Sequence, residues 1–417
     1  MLKNTNDTFC SIAWNHQFIG PDGNIKPCCR YSMPPSVKKP NIKTEKSLED
    51  VFRGDLQNKV REDLKNGIKH TGCKKCWQEE SAGKGLSIRQ NYNRDVPLLR
   101  DLHEDLDPDN PKITWLELSF SNRCNLRCRM CGPVYSTNWY KDWKTVKEYV
   151  PTAGNIPMNS PDEDIDRVIA RYNTEGLTDM SKLDSVLPNI RHLKMTGGEP
   201  FIIPEYKQIL QKIVKLGTAK NVYLNYSTNA TVKPDAELLE LWSHFKEIQI
   251  ATSIDGTGPI IEYQRYPTKW PVVESVIKQL MLLSKEMPLT IGTRPTITLM
   301  NVLDVPNITN WWAEMMNKYY KNDFDENAWL NHTHALVPHH LNLTVLPMWA
   351  KDIVQEKLMN APTKKQQASW DYLVKVCYSA DNWEMQKEKF QDFTRKLDRA
   401  RGENFASVIP EFKEMMA

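Results

Sequence analysis

Ser119-Phe-Ser-Asn-Arg-Cys-Asn-Leu-Arg-Cys-Arg-Met-Cys-Gly132 carries Cys124, Cys128 and Cys131, with three and then two residues between them. The run follows an apolar segment, Ile113 to Phe120, that reads as a buried strand. Thiolates so spaced on a strand-ending loop can wrap one face of an iron–sulfur cube. Three protein ligands on a four-iron cluster leave one iron open for a further ligand. The alternative is a fragment of a zinc site, although zinc normally takes four ligands.

Further along, Ile190-Arg-His-Leu-Lys-Met-Thr196 alternates as a strand does and runs into Gly197-Gly198-Glu199-Pro200. Paired glycines let a ligand approach the backbone closely, and a carboxylate there can receive an ammonium group. Read alone, the tetrapeptide is a strand-to-helix turn, since Pro204 opens the next helix. Val222-Tyr-Leu-Asn-Tyr-Ser227 predicts a third strand, ending in Thr228-Asn229-Ala230. Glu247-Ile-Gln-Ile-Ala-Thr-Ser253 predicts a fourth, leading into Ile254-Asp255-Gly256, with Arg265 ten residues after the aspartate. Thr296–Asn301 and His340–Val345 read as the last two, and Asn301 is equally plausible as a helix cap ahead of Val305-Pro306.

With these motifs in this order, the chain resembles the radical S-adenosylmethionine enzymes, whose signature is Cys-x3-Cys-x2-Cys after the first barrel strand. The resemblance implies an α/β fold built on a partial (β/α)6 TIM-like barrel. It also implies a [4Fe-4S] cluster on Cys124, Cys128 and Cys131, with its open iron chelated by S-adenosylmethionine. Reductive cleavage of that sulfonium gives a 5′-deoxyadenosyl radical that abstracts hydrogen from substrate. By the same resemblance Gly197, Gly198 and Glu199 hold the methionine amino group. Asn229 and Ser253 are candidates for the ribose or methionyl part, and Arg265 for the cofactor carboxylate or a salt bridge. Met130 stands where relatives carry an aromatic residue against adenine, a contact that thioether packing can replace. Relatives often have Thr-Asn-Gly where this chain has Thr228-Asn229-Ala230.

The N-terminal portion has its own cysteines: Cys10, the pair Cys28-Cys29, and Cys73-x2-Cys76 followed by Trp77. Asp22-Gly23 signals a hairpin turn that brings Cys10 and Cys28 together. Ser47-Leu-Glu-Asp50 resembles a capping box. It opens a helix with Val51, Phe52, Leu56, Val60 and Leu64 at helical spacing, stopped by Gly67. Four thiolates including a two-residue knuckle can saturate one centre, and structural zinc is a standing alternative for such a set. Cys10-x12-Gly23-x4-Cys28 is similar to the pattern of the SPASM and twitch auxiliary-cluster modules. This resemblance implies an auxiliary [4Fe-4S] cluster on Cys10, Cys28, Cys73 and Cys76, with Cys28 rather than Cys29 as ligand. Relatives usually carry the module after the barrel; here it comes first.

With 417 residues, 40% hydrophobic, the chain can hold a barrel and a smaller module, and no apolar run is long enough to span a membrane. Lys plus Arg at 55 nearly balances Asp plus Glu at 52, which argues against a nucleic-acid backbone as partner. Nine cysteines, mostly grouped, read as metal ligands rather than disulfides. Met1-Leu-Lys-Asn-Thr-Asn-Asp7 carries no apolar signal segment, so a cytoplasmic location is expected.

The expected layout is a twitch/SPASM-like auxiliary domain over 1–95, the radical SAM barrel over 96–361 and a helical extension over 362–417. The polar stretch Val150 to Asp184 reads as an insertion between the first two strands. His332, His334, His339 and His340 cluster near the last predicted strand, and His334 or His340 could carry a proton. Cys377 is alone and reads as a small apolar residue. A peptide or protein substrate is expected, with an electron donor such as flavodoxin or ferredoxin. The alternatives are oxidation of a small polar metabolite, or a non-catalytic binding protein stapled by zinc.

Overall fold

The computed structural model describes residues 6–34, 37–81, 87–94, 106–146, 179–320, 333–335 and 338–417. Most of the expected insertion (150–178) and His332 lie outside these residues. The described strands are β1 (His16–Ile19), β2 (Ile25–Lys26), β3 (Trp115–Leu118), β4 (His192–Met195), β5 (Tyr223–Thr228), β6 (Glu247–Thr252), β7 (Leu289–Thr293), β8 (Thr296–Ile297) and β9 (Thr333–His334). Seven of them form one sheet in the order β2-β1-β3-β4-β5-β6-β7, and β8 pairs with β9. The chain divides into two compact units: Met1–Asn122 with Ile169–Tyr226 and Asp235–Ile248, and Arg123–Val168 with Ser227–Pro234 and Gln249–Ala417.

In the first unit β1, β3, β4 and β5 pair in parallel. Parallel strands need crossover connections, here supplied in part by the helix Pro204–Lys215 between β4 and β5. That helix buries Tyr206, Ile209, Leu210 and Ile213. Its Tyr206 hydroxyl lies 2.6 Å from the Thr196 carbonyl and accepts from the Phe120 amide at 3.2 Å. Helix Ala236–Trp242 is capped by Asp235, and its Trp242 indole donates to the Tyr226 hydroxyl at 3.0 Å.

The Asp22-Gly23 turn closes an antiparallel β1–β2 hairpin, with Gly23 at φ +80°. The expected single helix after Ser47 is two, Leu48–Phe52 and Asp55–Lys65, because Gly54 stands between them in an extended conformation. Ser47 caps the first by accepting from the Asp50 amide.

In the second unit the long helices are Trp270–Leu283, Val305–Tyr319, Lys364–Tyr378 and Trp383–Arg401. Two strand readings are corrected here. His340–Val345 forms 3-10 turns (His339–Leu341 and Leu343–Val345) that bury Leu341, Leu343 and Val345 without pairing in a sheet. Of Thr296–Asn301, only Thr296–Ile297 is a strand, because the Asn301 side chain turns back to accept from the Thr298 amide at 2.7 Å. β7 went unread: Leu289–Thr293 lies between prolines and contains Gly292, which masks its apolar alternation.

Candidate cofactor and cluster sites

Cys124, Cys128 and Cys131 lie on the loop that follows β3, in the second unit. All nine cysteines are free thiols. The Cys131 amide donates to the Cys128 carbonyl at 3.0 Å, which curls the loop. Burial, then the neighbouring Cys128 and Cys124, pushes the Cys131 thiol up. Burial also raises Cys128, opposed by Arg265, whose Nη1 lies 3.9 Å from Cys128 Sγ. The Leu126 amide points at Cys124 Sγ from 3.5 Å and the Asn229 amide nitrogen from 3.8 Å. Asn229 also donates to Asn125 Oδ1 at 2.9 Å, joining the loop after β5 to the cysteine loop. The Ser253 amide donates to the Thr228 carbonyl at 2.9 Å, so the ends of β5 and β6 stay paired. Met130 is half-buried.

Arg265 is held in a buried ion pair, its Nε and Nη2 at 2.7 and 2.6 Å from Asp255 Oδ2. Asp255 Oδ1 accepts from the Thr296 amide at 2.7 Å, and Asn301 donates to the Asp255 carbonyl at 2.7 Å. The salt-bridge alternative weighed for Arg265 is thus realised inside the protein rather than at its surface.

Several residues that fix this loop escaped the sequence reading. Arg129, fully buried, donates to Asp398 at 2.6 Å and Glu403 at 2.7 Å, and its guanidinium lies 3.6 Å from the Tyr263 ring centroid. Asp142 accepts from Arg127 at 2.7 Å and from Arg401 at 2.9 Å. The Trp139 indole donates to the Cys128 carbonyl at 3.1 Å, and Asn138 to the Cys124 carbonyl at 2.7 Å. The loop is therefore clamped by the last long helix and the residues just beyond it. The one available signal was the unusual density of arginine between the cysteines.

The Gly197–Pro200 turn follows β4 in the first unit. Gly197 has φ +90°, and a Cβ there would lie 2.7 Å from the Ser121 carbonyl oxygen and 2.8 Å from Ser119 Oγ. Only glycine fits both the conformation and the space. The Gly198 amide donates to the Ser121 carbonyl at 2.9 Å. Glu199 is fully buried, and its Oε1 accepts from the Phe201 amide at 3.2 Å.

The N-terminal thiols gather against one apolar cluster. Cys10, Cys28 and Cys73 pack on Phe9, Trp14, Tyr31, Val60 and Leu64, with Trp77 alongside. Burial, then Cys73 and Cys76, raises Cys10; burial, then Cys29, Cys10, Cys73 and Cys76, raises Cys28. Burial, then Cys76, pushes Cys73 up to about 12. Cys29 has other company: burial, then the Glu117 carboxylate to which it is hydrogen-bonded, pushes it up to about 12. Among the described residues no group of three or more His, Cys, Asp or Glu side chains is placed to hold a metal ion. The chemistry of both donor sets, thiols alone on buried loops, nevertheless fits iron–sulfur clusters.

Of the histidines, His334 lies 3.2 Å from the Tyr372 hydroxyl, His339 is exposed, and His340 is buried against Phe393. Cys377 is fully buried.

Residues 10–77 match the SPASM family, described as an iron–sulfur cluster-binding domain, which favours iron over zinc for the N-terminal thiols. A GTP 3′,8-cyclase of Rhizobium etli (strain CIAT 652) is 23% identical over 180 residues, 42% of this chain and 41% of the relative. The match thus spans under half the length of that curated relative. Two solved structures are similar: anSMEcpe with bound AdoMet and Kp18Cys peptide, and Streptococcus suis SuiB bound to precursor peptide SuiA. The first has TM-score 0.34 and 19% identity, over 55% of this chain and 52% of that one. The second has TM-score 0.31 and 12% identity, over 70% and 61%. The SPASM match, the cysteine triplet and the Gly-Gly-Glu-Pro turn together make the chain similar to the radical S-adenosylmethionine enzymes that carry a SPASM module, and support [4Fe-4S] clusters and S-adenosylmethionine as its cofactors.

Proposed function

We propose that the protein cleaves S-adenosylmethionine reductively and uses the 5′-deoxyadenosyl radical to take hydrogen from a peptide or protein. The observation that carries this reading is the curled Cys124–Cys131 loop, three thiols presented with amide donors aimed at Cys124. Bound on that loop, a reduced [4Fe-4S] cluster supplies the electron that splits the sulfonium. The chain's own part is to bind and orient the cofactor. In this reading Gly197, Gly198 and Glu199 receive the methionine amino group, Met130 packs on adenine, and Asn229 and Ser253 contact the ribose or methionyl part. Arg265, held by Asp255 beside Cys128, would meet the cofactor carboxylate.

Cys10, Cys28, Cys73 and Cys76 would hold the auxiliary cluster. The proposed domains are 1–95 for that module, 96–361 for the partial barrel, and 362–417 for the helical extension. An electron donor such as flavodoxin or ferredoxin would work with it in the cytoplasm; among the described residues no helix is long and apolar enough to cross a membrane. Anaerobically reconstituted protein given dithionite and S-adenosylmethionine should release 5′-deoxyadenosine. The Cys124→Ala/Cys128→Ala/Cys131→Ala variant should release none, and equal release by both would end the proposal.

A further inference from the structure

Parallel strands covered on both faces normally carry near-continuous apolar residues. The first unit departs from this on one face of β1, β3, β4 and β5. Register places His16, Trp115, His192 and Tyr223 in one row, and Phe18, Glu117, Lys194 and Asn225 in the next. A period of two residues puts both rows on the same face. The opposite face carries Leu116, Leu118, Leu193, Met195, Leu224 and Tyr226, all buried.

The first row is a ladder of rings. Centroids are 4.6 Å apart for His16–Trp115, 6.2 Å for Trp115–His192 and 4.7 Å for His192–Tyr223. The second row holds an ion pair. Lys194 Nζ donates to Glu117 Oε1 at 2.7 Å, with side chains only 18% and 6% exposed. His16 Nε2 lies 3.5 Å from Glu117 Oε2, and the Cys29 thiol is hydrogen-bonded to the same carboxylate. Burial works against both charges. The Lys194 charge and His16 nevertheless hold Glu117 well below the usual carboxylate range, and Glu117 holds Lys194 above its own.

Desolvating two charges is expensive, and an apolar pair of similar volume is often no less stable. An ammonium also has three donors. Among the described residues Lys194 Nζ donates to Glu117 alone, which leaves two N–H groups facing the polar side of the sheet.

We propose that the Glu117–Lys194 pair is a substrate-recognition site for one amide unit of a peptide chain, its carbonyl accepting from Lys194 and its N–H donating to Glu117. The inference rests on the peptide reading above and deepens it. An amide offers donor and acceptor together and adds no charge to a pair that is already neutral. A carboxylate would bring a second anion beside Glu117. Of the ring row, His16 and Trp115 are buried, Trp115 under Ile12 and Tyr92, and the half-buried His192 and Tyr223 form the floor for the side chain next to that amide.

The test is saturation-transfer NMR on the reconstituted full chain, with acetyl-Gly-Gly-methylamide as probe and acetate as comparator. The wild type should give a signal for the peptide and a weaker one for acetate. Glu117→Gln/Lys194→Met removes both charges together and leaves neither stranded; it should weaken peptide binding roughly tenfold or more, as loss of hydrogen bonds to charged groups implies. Equal binding by a folded double variant overturns the inference. So does a wild type that ignores the peptide or prefers acetate, and these arms stand if the variant fails to fold. Release of 5′-deoxyadenosine is scored in the same preparations. Its absence from the wild type defeats the proposed activity, whereas its presence without peptide binding defeats only the recognition site.

Discussion

Cys124, Cys128 and Cys131 come from a single loop, whereas Cys10, Cys28, Cys73 and Cys76 are assembled from a helix start, a hairpin arm and a knuckle. The two sets are also secured differently. The first is fixed by charge, through buried Arg129 and the Asp142 pairs with Arg127 and Arg401. The second is fixed by apolar packing on Phe9, Trp14, Tyr31, Val60 and Leu64. A loop that must present three thiols and leave one direction open cannot be packed shut, so polar clamps placed behind it do the holding. A set that closes on itself can be buried in a small core.

The largest expected effect separates the sets outright. Reconstituted wild type should hold about eight iron and eight sulfide per chain, as two cubane clusters require. Cys73→Ala/Cys76→Ala, and separately the triple alanine change at Cys124, Cys128 and Cys131, should each fall to about four. Loss of all iron in either variant would show that the two sets are not independent. Next, Arg129→Met strands Asp398 and Glu403; breaking such a buried pair costs about 3–5 kcal/mol, read as a lower denaturant midpoint. Removing Lys59, an exposed partner of Glu62 and Asp63 near the N-terminal set, should leave that midpoint nearly unchanged.

Above the carboxylate range, acid should act through His340 in the second unit. Burial lowers His340 from 6.5 to about 3. The unfolded chain therefore takes up this proton first, and stability falls as pH drops below about 6.5, levelling off near 3. At ~1.4 kcal/mol per pH unit, the loss from this site at pH 5 is about 2 kcal/mol. His340→Leu should flatten that part of the urea-stability profile, and an unchanged slope would contradict it. The smallest effect concerns Ala230, which sits at φ +56° beside Asn229. Ala230→Gly should stabilise by less than about 1 kcal/mol, because the left-handed region penalises Cβ. Thermal unfolding would show it as a small rise in midpoint.

The same contrast explains what the sequence could tell. Cysteine spacing, the Gly-Gly-Glu-Pro turn and the Asp22-Gly23 hairpin are local, so their geometry is written in consecutive residues. Gly197 even shows why its position must be glycine, since Ser119 and Ser121 crowd it. The clamps are not local: Arg129 reaches Asp398 and Glu403, and Arg401 reaches Asp142. Nor is the parallel pairing of β1 with β3, which brings the N-terminal hairpin into the main sheet. Cys28 and Cys29 are adjacent in sequence yet keep different company, a distinction set by Glu117 on another strand. His340–Val345 alternates as a strand would, but its apolar residues are buried by 3-10 turns instead.

The most direct test of the open-iron site is low-temperature electron paramagnetic resonance of the dithionite-reduced protein, before and after adding S-adenosylmethionine. The spectrum of the cluster on Cys124, Cys128 and Cys131 should change on addition, and that change should vanish in the triple alanine variant. A wild-type spectrum indifferent to S-adenosylmethionine would contradict the account.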